Sequence, residues 1–142
     1  MSLPVPGLAA LPTRDAVRAA LLADAALMDM VKGVLDWVPE KQAYPYIHVG
    51  ESTETPANAH DRHGSEVLQT LHIWSQYRGY AEALTIATRV LQALDHRPLT
   101  ILGHRWTWTR FVSLQTLTDP EPPGNIRHVP MDFRIGSEVD ST

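Results

Sequence analysis

Cysteine is absent from the 142-residue sequence, and lysine occurs only twice, as Lys32 and Lys41. Without cysteine the chain can form no disulfide, no thiolate nucleophile and no zinc site with cysteine ligands, so its fold must depend on packing. The other basic residues are arginines spread along the chain, and the formal net charge is −4. Because proteins that grip nucleic acid cluster positive charge to neutralise phosphates, this composition argues against a DNA-binding surface.

Long apolar runs and catalytic motifs are also missing from the sequence. No stretch approaches the ~20 apolar residues of a membrane-spanning helix, and the N-terminus does not resemble a leader, so we expect no membrane partner. There is no Gly-x-Ser-x-Gly, no glycine-rich phosphate loop and no closely spaced pair of carboxylates on a strand end. We therefore expect a protein that is not an enzyme, with no catalytic residue, no cofactor and no metal.

Histidine is the one residue type that invites a chemical interpretation, with seven copies. His60 and His63 have a spacing found in zinc sites, but no third ligand follows at a matching distance and Arg62 would repel a cation. His72 beside Trp74 could act as a general base, but no nucleophile or second acid accompanies it. Packing and hydrogen bonding are the favoured roles for these histidines.

Two tryptophans, Trp106 and Trp108, are separated by one residue and are expected to share one face of a strand. Such a pair could form a stacking platform for bases or sugars. No basic groove accompanies them, so the favoured interpretation is packing in the core or at an interface.

The strongest strand signal lies in residues 66–75. Its alternate positions form two sets, namely Val67, Leu71 and Ile73 on one side and Leu68, Thr70, His72 and Trp74 on the other. Because both sets contain large, partly apolar side chains, both faces of this central strand are expected to contact protein. A helix predicted at residues 79–95 would cover one face, and another subunit could cover the other.

The pattern along the chain predicts one α+β domain, an antiparallel sheet with two helices packed on one face, plus a β-hairpin. Residues 1–12 are rich in proline and are predicted to form an extended N-terminal arm, after which Thr13 caps the first helix. The domain is expected to span residues 13–135. Residues 136–142 are predicted to form an acidic C-terminal tail that buries nothing.

Seven elements are predicted inside this domain. They are a helix at residues 14–33, strands at 34–38 and 46–50, the central strand with the helix behind it, a hairpin at 99–112, and a last strand at 127–135 whose Pro130 indicates an edge or a bulge.

Residues 51–65 contain almost no apolar side chain and are predicted to form a long polar loop. Loops of this length are uncommon in compact domains unless they are functional or disordered. We expect this loop to be mobile in the free subunit and to dock on a partner, because its own contacts cannot offset the cost of ordering its backbone. The residues expected to dock are Glu51, Glu54, His60, Asp61, Arg62 and His63.

Several segments in a fixed order carry a resemblance to a known family. They are the Pro-Tyr-Ile-His-Val-Gly strand, the polar loop, the Leu-His-Ile-Trp strand, the alanine-rich helix, the Gly-His hairpin and a late Asp-Pro loop. This order resembles the tail-completion, or tail-terminator, proteins of long-tailed phages and of phage-like gene transfer agents. The resemblance covers residues 14–135, and its motifs are packing patterns that carry no catalytic residue.

The resemblance implies a structural virion protein, made in the host cytoplasm, that assembles with itself into a homo-hexameric ring. Such a ring would cap the tail tube protein at the head-proximal end and dock the head–tail connector protein, while DNA passes through the lumen without specific binding. Head-to-tail contacts in a closed ring need two different patches on each subunit. We expect His72, Trp74, Trp106 and Trp108 to lie at this subunit interface.

Two alternatives stay open at this point. A neck or head-completion adaptor on the portal side of the head–tail joint would also form a ring and would use the same kinds of surface. An enzyme acting on small molecules is the third possibility. Electron microscopy would distinguish a ring from a monomer, and neighbouring tail-tube or connector genes would indicate which end of the joint the ring serves.

Overall fold

The structure, a computed structural model, describes residues 7–119 and 126–140. Its elements in chain order are α1 Ala10–Leu22, α2 Ala25–Met28, β1 Val34–Leu35, β2 Tyr46–Pro56, β3 Gly64–Ser75, α3 Ala81–Leu94, β4 His104–Leu114, β5 Leu117–Thr118 and β6 Arg127–Val139. The strands form a six-stranded sheet in the order β1-β2-β3-β6-β4, with β5 also paired to β6. Only β1 and β2 run parallel among these pairs. The predicted α+β class and the central position of β3 are confirmed.

The core lies between one face of the sheet and all three helices. Alternate residues of the middle strands, such as Leu71, Ile73 and Phe133, are fully buried there. They meet the apolar side of α3, where Ile86 and Val90 are also buried. The 3.6-residue period of α3 and the two-residue period of β3 therefore place their apolar residues in one layer, as the sequence predicted.

The first helix begins earlier than predicted, because α1 starts at Ala10 inside the supposed extended arm. Pro12 lies in its first turn, where backbone N–H groups have no intrahelical partner, so the missing N–H of proline is tolerated. Thr13 is buried within the helix and is not its cap. The part of the predicted arm at residues 1–6 lies outside the described residues.

The predicted helix over residues 14–33 is interrupted after Leu22. Asp24 accepts a hydrogen bond from the backbone N–H of Leu27, 2.9 Å, and so caps the short helix α2. The same carboxylate binds two nitrogens of Arg89 on α3, at 2.9 and 2.6 Å. These bonds lower the pKa of Asp24, with the Arg89 hydrogen bond as the main cause. Arg89 therefore joins α2 to α3.

The predicted polar loop at residues 51–65 is mostly strand, which corrects that expectation. β2 continues to Pro56 and β3 begins at Gly64, so the two strands form a long antiparallel hairpin. The turn between them occupies only residues 57–63. Polar side chains such as Ser52 are satisfied within this hairpin, where Ser52 Oγ lies 2.6 Å from the amide oxygen of Gln69. A polar sequence can therefore be a regular strand when its partners lie on the neighbouring strand.

Three further boundaries differ from those predicted. The hairpin expected at residues 99–112 is absent from this part of the described chain, because β4 pairs with β6 and residues 99–103 form no strand. β1 is limited to Val34–Leu35. β6 extends to Val139 and buries Gly136 and Ser137, so most of the predicted acidic tail belongs to the sheet, while residues 141–142 lie outside the described residues.

Pro130 lies within β6, which is an interior strand with neighbours on both sides. Its carbonyl accepts a hydrogen bond from the N–H of Gln115, 3.1 Å, in the break between β4 and β5. Because the N and O atoms of one strand residue project to the same side, the missing N–H of Pro130 also faces this break. The interruption of the neighbouring strand explains how a proline fits inside the sheet.

Candidate assembly interface on the open face of the sheet

The sheet has a second face that no helix covers among the described residues, and we call it the open face. Its residues on the middle strands alternate with those of the core and are half-buried or exposed, apart from the buried glycines Gly64 and Gly136. An ordinary solvated sheet face carries small polar side chains, whereas this face carries several rings and arginines. Its principal side chains are Tyr46, His48, Leu68, His72, Trp74, Trp108, Arg110, His128 and Arg134.

A row of stacked rings crosses the open face. The ring of Tyr46 lies 6.5 Å from that of Trp74, and Trp74 lies 4.0 Å from the imidazole of His128 with only 2° between the ring planes. His128 stacks in turn on His72 at 4.8 Å, and His72 lies 5.9 Å from His48. The row arises because the register places Trp74 opposite both Tyr46 and His128. We call these five residues the ring row.

Hydrogen bonds connect the histidines of the ring row to a carboxylate. His72 Nε2 lies 2.5 Å from Oε1 of Glu51, and His72 Nδ1 lies 2.6 Å from Nε2 of His128. An ionised carboxylate only accepts, so His72 donates from Nε2. The hydrogen bond from His72 lowers the pKa of Glu51, whereas burial and then the neighbouring His72 lower the pKa of His128.

A β-bulge aims Glu51 at His72. The register of β2 against β3 shifts between Val49 and Ser52, so that residues 50 and 51 together oppose the single residue Thr70. The buried side chain of Gln69 holds the bulge, because its amide nitrogen donates to the carbonyl of Gly50 at 3.0 Å. A Cβ at residue 50 would overlap the His72 ring, so glycine is required for this close approach.

Trp106 and Trp108 lie on opposite faces of the sheet, which corrects the prediction that they share one. A bulge between them gives Trp106 the position opposite Ser137 and Trp108 the position opposite Gly136. Trp106 packs against the core, and its Nε1 donates to Thr109 Oγ1 at 2.7 Å. Trp108 lies on the open face over Gly136, where an added Cβ would be 2.5 Å from the indole.

The six residues expected to dock on a partner do not form one loop. Glu51 belongs to the ring-row network, and Glu54 accepts hydrogen bonds from the backbone N–H groups of Ala9 and Ala10 at 2.9 and 3.0 Å. A carboxylate at this end of α1 also opposes the positive end of the helix dipole. Glu54 therefore has a role within the subunit, where it ties the N-terminus of α1 to β2.

The other four predicted docking residues lie at the turn of the β2–β3 hairpin. His60 and Asp61 are exposed at its tip. Arg62 forms ion pairs with Asp61 at 3.3 Å and with Glu138 at 3.0 Å, so the turn is attached to the end of β6. The backbone carbonyl of His63 accepts from the N–H of Val139 at 2.8 Å. Docking by this turn stays a prediction.

Both edges of the sheet have backbone groups that side chains or a neighbouring loop already satisfy. At one edge, the guanidinium of Arg14 donates to the carbonyls of Val49 and Gly50 beyond the end of β1. At the other, Asp95 accepts from the N–H of Phe111 at 2.9 Å, and the N–H of His96 donates to the carbonyl of Thr109 at 2.9 Å. These contacts block direct strand addition at the points they cover.

Comparison with known proteins decides what kind of molecule carries this face. A family model described as tail completion protein gp17 matches residues 15–138. The chain belongs to this family. The tail completion protein gp17 of Bacillus phage SPP1 is 32% identical to it over 95 residues, which is 67% of this chain and 70% of the phage protein. The protein is accordingly a virion structural protein of a phage or phage-like particle.

Two solved structures share the fold of this tail completion protein. A chain in a structure titled as the virion of a native gene transfer agent particle matches with a TM-score of 0.83 at 21% identity, covering 94% of this chain and 99% of that one. The structure of the bacteriophage SPP1 gp17 protein matches with a TM-score of 0.59 at 25% identity, covering 96% and 99%. The family resemblance inferred from the order of sequence segments is confirmed.

Sequence reasoning missed several side chains of this tail completion protein that the structure brings to notice. Tyr46 and His128 complete the ring row but lie far from Trp74 along the chain, so only the strand register could have revealed them. Trp37 follows β1 and is 77% exposed. Pro39, two residues after Trp37, was a signal that the strand ends early, and β1 stops at Leu35, before the tryptophan.

The described residues contain neither a cluster of metal ligands nor a helix suited to span a membrane. Within residues 7–119 and 126–140, no group of three or more histidines or carboxylates is arranged to hold a metal ion. No helix in the same described part is long and apolar enough to cross a membrane. The arrangement on the open face provides stacking surfaces, hydrogen-bond acceptors and guanidinium groups, which are the components of a protein interface.

Proposed function

We propose that this tail completion protein forms a homo-hexameric ring that caps the tail tube at its head-proximal end and docks the head–tail connector protein. The observation that carries the proposal is the ring row on a sheet face that nothing covers within the described subunit. Tyr46 is itself buried, but His72, Trp74 and His128 stay partly exposed, and partly exposed rings are typical of surfaces that a partner buries. The family membership supplies the setting, a phage or phage-like tail.

The joint between neighbouring subunits would use side chains and would not extend the sheet. Arg14 at one edge and the segment around Asp95 at the other already occupy backbone groups that a new strand would need. A closed ring also requires two different patches, and the two edges of this sheet are different in sequence and structure. In this proposal His72, Trp74 and Trp108 face the neighbour, and Trp106 contributes its exposed part at the β4 edge.

The turn of the β2–β3 hairpin would contact the tail tube or the connector. His60 and Asp61 are exposed at its tip, and the ion pairs of Arg62 hold the turn in position. A polar turn on a fixed strand pair suits the wet rim of an interface. The ring would leave a lumen for DNA, and a chain with a net charge of −4 would not retain DNA there by phosphate contacts.

The experiment is to measure the assembly state of the purified chain by light scattering and negative-stain electron microscopy. A ring of six copies is expected, with Trp74→Ala shifting it towards monomers at concentrations where the wild type is assembled. Tyr77→Ala is the control, because Tyr77 is an aromatic residue that is exposed on the loop between β3 and α3, away from the open face.

Two results would count against the proposal. A chain that stays monomeric alone and when mixed with tail tubes would exclude a ring. A ring that immunogold labelling locates on the portal side of the joint would support the neck adaptor in its place.

A further inference from the structure

Two segments at opposite sides of the sheet carry opposite formal charge, although Glu138 pairs with Arg105 of the first segment and Arg14 with Asp36 of the second. Residues 96–118, which contain β4, include the three arginines Arg97, Arg105 and Arg110 and no carboxylate, a formal charge of +3. Residues 36–54, which contain β2 on the far side, include four carboxylates and one lysine, a formal charge of −3. The segments lie at opposite sides of the sheet, because β4 is the strand at one edge and β1 and β2 are the strands at the other.

On the β4 side, two arginines of the open face lie directly opposite each other. Arg110 of β4 pairs with Arg134 of β6 in the register, and both are exposed. No ion pair involves either guanidinium among the described residues, and the guanidinium of Arg110 lies over the ring of Trp108, 5.5 Å from its centroid. Because like charges directly across two strands repel, this pair is unfavourable in a free subunit unless an anion binds it.

On the β2 side, Glu51 offers the most accessible carboxylate of the same face. Its side chain is 71% exposed, and His72 binds only its Oε1 atom among the described side chains. A carboxylate accepts from several directions, so Glu51 can keep this bond and bind a guanidinium as well. Asp36 is less suited, because Arg14 of the same subunit already binds it.

We propose that Arg110 and Arg134 of one copy bind the Glu51 carboxylate of the next copy. This inference rests on the proposed ring, since a head-to-tail closure brings the β4 side of each copy against the β2 side of its neighbour. The occupant of the arginine pair is thus a second copy of this chain. Charge complementarity between the two sides would also reject the reversed orientation, in which like-charged sides would meet.

The test exchanges the charges of the two partners by mutation. Its readout is the subunit concentration at which half of the rings dissociate. Arg110→Glu alone and Glu51→Arg alone should each raise this concentration by about tenfold or more, because each opposes like charges at the joint. The double variant R110E/E51R should return this concentration most of the way to the wild-type value. Arg78→Glu, which makes the same charge change on the exposed loop after β3, should leave the midpoint near the wild-type value.

Glu51→Gln guards against a folding defect, because the amide oxygen can still accept from His72 while the charge is removed. It should also weaken the ring, and raising salt from about 0.1 M to about 1 M should weaken the wild-type ring more than the Glu51→Gln ring. The inference is overturned if Arg110→Glu assembles like the wild type, or if the double variant is no better than either single one. A wild-type chain that never forms rings refutes the proposed function instead.

Discussion

The two faces of the sheet are built from alternate residues of the same strands, and they differ in how completely the subunit buries their side chains. On the covered face Leu71, Ile73 and Phe133 are fully buried against the helices. On the open face Trp74 and His128 stack on each other, yet remain half-buried. The covered face therefore explains the stability of the subunit, and we propose that the open face serves assembly. The predictions below test this division.

The largest effect is expected from the covered face. Phe133→Ala should lower the free energy of unfolding by about 3–5 kcal/mol, because it removes a fully buried aromatic side chain and leaves a cavity. Trp74→Ala should lower the unfolding free energy of the monomer less, although it removes a larger ring. Chemical denaturation of both variants under monomeric conditions makes the measurement. A larger loss for Trp74→Ala would place Trp74 in the core and contradict the division.

Gly136→Ala should destabilise the subunit by about 1–3 kcal/mol, because the new methyl group would overlap the Trp108 indole. Thermal unfolding measures the change. Gly79→Ala is the matched control, since a Cβ at that position meets no atom within 4 Å. The double variant G136A/W108A should lose less than Gly136→Ala alone. Equal losses in the single and double variants would show that the indole does not occupy this position.

Glu54→Gln should destabilise the subunit by about 0.3–1 kcal/mol, because it removes the negative charge at the N-terminus of α1 while keeping an acceptor for Ala9 and Ala10. Asp61→Asn, which removes an equal charge from the hairpin turn, provides the comparison. Chemical denaturation at low salt measures both. If the two variants lose the same unfolding free energy, the proximity of Glu54 to the helix N-terminus does not stabilise the subunit.

The smallest effect concerns pH. Burial and the neighbouring His72 lower the pKa of His128, although Glu51 and Asp119 act in the opposite direction. In the unfolded chain His128 therefore takes up a proton at about pH 6.5, whereas in the folded chain it does so only at a lower pH. Stability should be unaffected above this pH and should fall as the pH drops from about 6.5 towards the lower folded-state pKa.

His128→Phe tests this explanation, because it keeps a flat ring on Trp74 and removes the titrating group. The slope of unfolding free energy against pH should be shallower in this variant below about pH 6.5. Denaturant titrations at several pH values measure the slope. Equal slopes in the variant and the wild type would show that His128 does not cause the pH dependence.

The sequence predicted the parts of the fold whose side chains are periodic within one segment. The alternation around Leu71 and Ile73 gave the central strand, and the helical spacing of Ile86 and Val90 gave α3. In each case the apolar side chains are buried by a neighbouring layer of the same subunit, so their spacing within the segment is enough to predict the element. The order of these segments also led to the correct family.

The sequence did not predict features that depend on partners distant along the chain. Ser52 and Glu54 looked like loop residues, because their partners Gln69 and the α1 N-terminus are not visible in a local window. Trp106 and Trp108 looked like one face, because a bulge that inserts a residue gives no signal in the alternation itself. The ring row likewise depends on the register among three strands.

The central claim, that the open face is an assembly surface, is tested most directly by hydroxyl-radical footprinting of the free subunit and of the assembled ring. Oxidation of Trp74 and Trp108 should fall strongly on assembly, whereas oxidation of Tyr77, on the loop after β3, should change little and so provide the internal control. Equal oxidation of Trp74 and Trp108 in the two states would contradict the claim, because the open face would then remain uncovered in the assembled ring.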